Sequence, residues 1–350
     1  MNAELTLLSP SGPPDGRLGE ILSTALTGRA VHSYEAGMSL AGRRLLFAVS
    51  LPEWGTCPDL SRLLAFLRTH PGCLEGSVGG VIVDSPGTLY TKSAGRDLTL
   101  AANLAGCAFP GRPLVEGIGD LGNLTVQAKN AGCGLREAYR LAAADLADRV
   151  LSFSPPKQRR PQLLALHASS HATSNTLALW AWCRKRLEGF CGIREIGLRN
   201  GTVADCSGCP YTACLHFGER GDCFYGGVMV EEVYPAIRTA DAVLLLCPNY
   251  NDALSANLTA AINRLTALYR AAPFTDTAVF AIVVSGYSGG DIVASQVVSA
   301  MNMNKGFWLP PEFCMLETAN DAGAAMALPG ITERLERFTN HILRYILPET

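Results

Sequence analysis

From Gln162 onward, short apolar runs alternate with amphipathic stretches of helical period, and few folds can bury such a chain. Gln162–His167, Ile193–Leu198, Ala242–Cys247 and Ala278–Ser285 read as strands, with a weaker one near Glu312–Leu316. The central runs are apolar at nearly every position, which is how strands read when both faces of a parallel sheet are covered. Between them, Ser174–Phe190, a segment near Val230–Arg238, Asn257–Tyr269, Asp291–Met301 and Ile331–Ile346 carry apolar residues at helical spacing. In the last of these, Ile331, Leu335, Phe338, Ile342 and Ile346 share one stripe. Alternating strands and helices with short connections predict an α/β domain with a doubly wound, parallel, five-stranded sheet.

The segment Ser154-Pro155-Pro156-Lys157-Gln158-Arg159-Arg160-Pro161 breaks this rhythm and reads as a linker, because its prolines block ladder and helix hydrogen bonds. It divides the 350 residues into an amino-terminal α/β domain, 1–153, a linker, 154–161, and a carboxyl-terminal domain, 162–350. The first half shows strands at Leu5–Ser9, Arg44–Val49, Gly80–Asp84 and Pro113–Gly117. Its helices fall at Gly16–Thr27, Pro58–Thr69, Ser93–Ala105 and Leu135–Phe153. The run Val81-Ile-Val-Asp-Ser-Pro86 parallels Val243-Leu-Leu-Leu-Cys-Pro248, which suggests a degenerate duplicate; the plain alternative is that any two strand-to-helix units look alike. Gly117-x-Gly119-x-x-Gly122 formally matches a dinucleotide fingerprint but lacks a following second strand with a terminal acid, and reads as a turn.

A net charge of −2 gives no reason to expect nucleic acid or an anionic membrane surface as partner. No stretch approaches the roughly 18–20 apolar residues of a membrane helix, and no basic-then-apolar leader opens the chain, so a cytoplasmic setting is expected. Twelve cysteines there should be mostly reduced, and most read as small buried hydrophobes. Four are different: Cys206-x2-Cys209-x4-Cys214-x8-Cys223 lie in one loop after a strand. Such a cluster suits first a [4Fe–4S] centre; the alternatives are a set of thiols that binds nothing and a structural zinc. Gly208 permits the tight turn between the first pair.

Three strand ends carry further signals. His167-Ala168-Ser169-Ser170-His171-Ala172-Thr173-Ser174-Asn175-Thr176 leads into a helix, where hydroxyls, backbone N–H groups and the helix dipole attract a phosphate. The alternative is that Ser174 merely caps the helix. Cys247-Pro248-Asn249-Tyr250-Asn251 follows the central strand, with Tyr250 placed to pack on a ring. Ser285-Gly286-Tyr287-Ser288-Gly289-Gly290 follows the next, with glycines that allow close approach to a flat ligand. Without a ligand, the last two are a surface turn with a half-buried tyrosine and a glycine-rich turn.

These segments resemble the flavodoxin-like NAD(P)H-dependent FMN reductases and, among them, the iron–sulfur flavoproteins, over about residues 161–347. That group opens with Gly-Ser-Pro-Arg-x-x-(Ser/Gly)-Asn-Thr; here Ser169, Ser170, His171 and Ser174-Asn175-Thr176 stand at the corresponding places, without its proline and arginine. Its Ser-Pro-x-Tyr, Ser-Ala and Ile-Asp-Arg correspond to Pro248-Asn249-Tyr250, Ser255-Ala256 and Ile262-Asn263-Arg264. The resemblance implies FMN bound by Ser169, Ser170, His171, Ser174, Asn175, Thr176, Pro248, Asn249, Tyr250, Asn251, Ser285, Gly286, Tyr287, Gly289 and Gly290. It implies a [4Fe–4S] cluster on Cys206, Cys209, Cys214 and Cys223, although the last two spacings are longer than in the group.

The expected activity is electron transfer from NAD(P)H or a protein donor through FMN to the cluster or a small acceptor, in a homodimer or homotetramer, with no protein acid or base assigned. An electron carrier without its own substrate, or a thiol-based redox sensor, is the alternative. The first half would be a degenerate flavodoxin-like domain.

Overall fold

The computed structural model describes residues 4–35, 37–169, 173–271 and 273–348. The chain divides into two compact units, Met1–Ser154 and Pro155–Thr350. In the first, β1 (Leu5–Leu8), α1 (Gly16–Ala25), β2 (Val31–Ser33), β3 (Arg44–Ser50), α2 (Pro58–Thr69), β4 (Ser77–Ser85) and α3 (Thr91–Leu104) follow in order. The two-residue β5 (Cys107–Ala108), β6 (Leu114–Ile118), α4 (Thr125–Ala131) and α5 (Leu135–Ser152) complete it. The second unit runs β7 (Gln162–His167), α6 (Asn175–Leu187), β8 (Gly192–Gly197), α7 (Tyr211–Gly218), α8 (Tyr234–Thr239) and β9 (Ala242–Pro248). It closes with α9 (Ala256–Ala271), β10 (Ala278–Ser285), α10 (Gly290–Val297), β11 (Cys314–Thr318) and α11 (Ile331–Ile346).

Both sheets are parallel throughout. The second has the order β8-β7-β9-β10-β11. Numbered within the unit this is 2-1-3-4-5, the flavodoxin order, whose direction reverses between its first and third strands. The first sheet runs β2-β1-β3-β4, and then β5 and β6 both pair with β4, at its start and at its end. Its fifth position is thus filled by a broken strand, and the order is again 2-1-3-4-5. The α/β, doubly wound, flavodoxin-like expectation holds for both units.

One detail differs. Val81–Ser85, before Pro86, lies in the fourth strand of its unit, whereas Val243–Pro248 lies in the third. The positional counterpart of β9 is therefore β3, with Leu51-Pro52-Glu53-Trp54 after it. Apolar runs alone cannot separate the third strand from the fourth, because both are buried on two faces.

The core explains why the sequence reads so plainly. Leu244, Leu245, Leu246, Phe280, Ala281 and Ile282 are fully buried in the two central strands, each large side chain worth about 1.5–3 kcal/mol of burial. Helix α11 closes one face with Leu335 and Ile342, both fully buried. The stretches expected as helices near Val230 and Ser299 contain wider, π-type turns at Met229–Val233 and Val298–Asn304. The segment β2, the bridge-like β5 and helix α7 have no clear periodic signal. No helix among the described residues is long and apolar enough to cross a membrane.

Candidate functional site at the carboxyl edge of the second sheet

Strands β7, β9 and β10 end side by side, so their loops share one rim. At the exit of β9, Asn251 and Asp252 both take φ 54°. Two consecutive left-handed residues make a type I′ turn, which Asn and Asp tolerate better than other side chains. The turn is closed by Ala253 N–H donating to the Tyr250 carbonyl at 3.2 Å. It leaves Tyr250 58% exposed at the rim.

Asn249 joins this turn to the loop after β10. Its backbone N–H donates to the Val284 carbonyl at 2.8 Å. Its Nδ2 donates to the Ser288 carbonyl at 2.9 Å, and to Ser285 Oγ and Asp252 Oδ1 at 3.2 Å each. Three acceptors around one nitrogen fix the amide orientation. They leave Oδ1 of Asn249 buried with no partner, and Ser255 Oγ is in the same condition. Buried polar atoms without partners are uncommon and ask for a ligand or water.

Gly286 and Gly289 of the second loop let neighbouring segments of the same unit approach closely. Gly289 has φ 83°, and a Cβ there would overlap the Asp252 carboxylate and lie 2.9 Å from Asn249 Nδ2. A Cβ at Gly286 would lie 2.9 Å from Asn320 Oδ1. Tyr287 stands 81% exposed between them. Gly290 starts α10, with Ser285 Oγ 3.4 Å from its ideal Cβ position.

On the β7 side, Ser174 caps α6, accepting from the Leu177 N–H at 3.4 Å, and lies 2.9 Å from Thr176 Oγ1. Thr176 is buried. Asn175 turns to the loop after β11, donating to the Ala319 and Asp321 carbonyls at 3.2 and 2.9 Å and accepting from Ala325 N–H at 3.2 Å. Ser170 and His171 lie outside the described residues. Ser169 does reach the rim, lining a cavity of about 440 Å³ with Tyr250, Asn251, Ser255 and Asn257.

A larger cavity of about 970 Å³ also includes Ser169 and continues past His167, Glu195 and Arg199. Glu195 is held there by the Trp180 Nε1–H at 2.7 Å and by Arg184 Nη1 at 3.1 Å, with His167 Nε2 at 3.5 Å. His167 Nδ1 lies 3.2 Å from the Ser169 carbonyl, which sets the start of the turn. Cys247, fully buried beneath the rim, has its thiol pushed up to about 12 by that burial.

The cysteine loop leaves the carboxyl end of β8, and Thr202 and Val228 on either side of the four cysteines line the larger cavity. Cys206 is exposed, while Cys209, Cys214 and Cys223 are partly buried, and all four are free thiols. Burial lowers the pKa of the half-buried Lys305 ammonium against the opposing effect of Cys206, and burial raises that of the Tyr234 hydroxyl, with Cys223 and Cys214 adding to it. Among the described residues, no three His, Cys, Asp or Glu side chains gather to hold a metal ion. A cubane needs four thiolates turned to one point, and the loop as folded does not present them. Helix α7, which carries Cys214, separates the Cys206–Cys209 pair from Cys223.

Residues 161–321 match the family of NADPH-dependent FMN reductases. The second unit is a member of that family. The FMN-reductase domain has as its class of chemistry FMN-dependent oxidoreduction with NAD(P)H. No match is found among curated protein sequences. Among solved structures, an apo NADH:FMN oxidoreductase (EMOB) is 15% identical, covering 54% of this chain and 91% of its own, with a TM-score of 0.38. An NAD(P)H:quinone oxidoreductase from Methanothermobacter marburgensis is 14% identical, covering 52% and 96%, with a TM-score of 0.38. A WrbA-like flavodoxin from Agrobacterium tumefaciens is 12% identical, covering 53% and 98%, with a TM-score of 0.33.

Asn200 and Gln296 at the FMN-reductase rim had no signal in the sequence. Asn200 accepts from Asn257 Nδ2 at 3.2 Å, and Gln296 accepts from the Leu254 N–H at 2.9 Å and donates to the Asp252 carbonyl at 2.8 Å. Both act through partners more than forty residues away, which local pattern cannot reveal.

Proposed function

We propose that the second unit holds FMN across the rim formed by β7, β9 and β10 and oxidises NAD(P)H there. The observation that carries this reading is the cavity lined by Ser169, Tyr250 and Ser255, where Ser255 Oγ is buried and partnerless, with a second such oxygen, Asn249 Oδ1, one residue before Tyr250. A heterocycle with ring N–H and carbonyl groups fits such a lining, since the Ser255 hydroxyl donates or accepts, and Asn249 Oδ1 beside the turn can accept. Tyr250 and Tyr287 supply exposed aromatic surface on the two sides. The phosphate belongs at the α6 end, where Ser169 and Ser174 flank the first turn and the helix dipole favours an anion. Ser170 and His171, expected in the same turn, join this assignment. Asn175 and Thr176 support it from behind by fixing the turn, Asn175 through the loop at 319–325.

When bound, FMN supplies the hydride acceptor. The chain's part is to bind and orient the ring, and no side chain is needed as acid or base. The cavity past His167 and Glu195 gives room for a donor or acceptor beside the ring. Reconstitution of the purified protein with FMN tests the proposal: Ser255→Ala together with Asn249→Ala should weaken FMN binding by at least tenfold. Unchanged affinity in that double variant would remove the flavin from this rim.

A further inference from the structure

The first unit has a rim of its own. Its third strand, β3, runs through Leu51 into Pro52-Glu53-Trp54, as β9 ends at Pro248 and runs into Asn249-Tyr250. Its fourth strand, β4, ends at the buried Ser85, as β10 ends at the buried Ser285. The residue before the next helix is left-handed in both units: Tyr90 at φ 75° before α3, Gly289 at φ 83° before α10. In the first unit that place holds a bulky tyrosine, a backbone state such residues adopt at a cost and mostly where function requires it.

The two loops are fastened together. Leu51 N–H donates to the Asp84 carbonyl at 2.8 Å, and Ser85 Oγ donates to the Pro52 carbonyl at 3.4 Å. A Cβ at Gly55 would overlap the Tyr90 ring, and one at Gly87 would lie 2.9 Å from the Glu53 carbonyl oxygen. So packed, the loops border an open surface depression of about 450 Å³ lined by Glu53, Trp54, Gly87, Thr88, Leu89 and Tyr90. Trp54 is 73% exposed, Leu89 62% and Tyr90 51%. Two large aromatic side chains held at the edge of a ligand-sized depression, at a carboxyl-side rim, form an unusual surface.

We propose that this rim binds a second ligand: a flat, conjugated ring that carries no phosphate. Aromatic side chains and glycine backbone favour a planar ring. The charges disfavour an anionic tail. Asp15 stands at the N-cap of α1, and Glu53 is the charged residue of the depression. Arg17, in the first turn of α1, is committed to Asp84 at 2.9 Å and to the Ser85 and Gly117 carbonyls at 2.9 and 3.2 Å. The proposal extends the reading of the second rim, and its test keeps the two apart.

Riboflavin, a flat ring without phosphate, is the probe. FMN-loaded full-length protein is titrated with it, following tryptophan emission and the ligand retained on ultrafiltration. One saturable equivalent beyond the FMN is expected. Trp54→Ala and Tyr90→Ala should each weaken it at least tenfold, Trp54→Phe should restore most of it, and Tyr250→Ala should leave it unchanged. FMN should bind this rim at least tenfold more weakly than riboflavin. Absence of saturable binding, or binding that survives Trp54→Ala, overturns the proposal. So does binding that is lost in Tyr250→Ala but kept in Trp54→Ala, which would put the probe on the second rim. If the protein retains no FMN yet binds riboflavin through Trp54, the reading of the second rim fails and this one stands.

Discussion

Asn249 Nδ2 lies 3.2 Å from Ser285 Oγ, so one side chain links the ends of the two central strands of the second sheet. The same nitrogen holds the Ser288 carbonyl and the Asp252 carboxylate. Asn249→Ala releases both loops and removes the partnerless Oδ1. FMN affinity is expected to fall about tenfold, or ~1.4 kcal/mol, a size ordinary for hydrogen bonds to a bound ligand. Fluorescence titration of the apoprotein measures it.

Gly289→Ala tests the fit of the two loops. At φ 83° the new Cβ is strained and collides with the Asp252 carboxylate. The second unit should lose about 1–3 kcal/mol of stability, read as a lower urea midpoint. Asp252→Ala in the same background should recover the part due to collision and leave the part due to φ, so the two effects separate in a double-mutant cycle.

His341 makes the stability of the second unit depend on pH. Burial lowers its pKa below the ordinary value of about 6.5, outweighing the Pro311 carbonyl that its ring N–H meets. The folded state therefore prefers the neutral ring, and the unfolded chain takes up the proton first as pH falls. Stability contributed by this site is complete above about pH 6.5 and is lost as pH drops through that value toward the folded pKa. His341→Gln should flatten the change in urea midpoint between pH 7.5 and 5.5 (both values on the order of one unit either side of the ordinary pKa). An equally steep change in the variant would assign the dependence to other groups.

The thiols should separate by reactivity. Cys206 is exposed, whereas burial pushes Cys247 up to about 12 and Cys183 up to about 11. At pH 8 a thiol of pKa 12 is thiolate in about one molecule in ten thousand. Timed alkylation of native protein followed by peptide mapping should mark Cys206 early and leave Cys247 unmarked until the chain unfolds. Labelling of Cys247 at the rate of Cys206 would contradict the buried placement of β9.

The arrangement of those cysteines also shows where sequence reading stops. Gln162–His167, Ala278–Ser285 and Ile331–Ile346 are delimited in the sequence as they are in the structure, because a buried strand or an amphipathic helix is specified by its own residues. The rim as a meeting place of three loops was legible for the same reason: strand ends in a parallel sheet must lie together. Partner choice was not. Asn175 was expected beside a phosphate, yet its side chain bonds the chain near Ala319 and Ala325, far along the sequence. The cysteine spacing suggests one cage, whereas in the structure helix α7 lies along the chain between Cys209 and Cys223, and among the described residues no three metal-ligating side chains gather. A local pattern gives no distance between groups whose separation is set by packing.

The most direct test adds NAD(P)H anaerobically to FMN-loaded full-length protein and follows flavin absorbance at about 450 nm, for wild type and the Asn249→Ala, Ser255→Ala double variant. The account predicts one FMN per chain, bleached rapidly in wild type and largely lost from the variant. A wild-type protein whose FMN is retained but not bleached by either nicotinamide cofactor, or a variant that binds and bleaches FMN as wild type does, would contradict it.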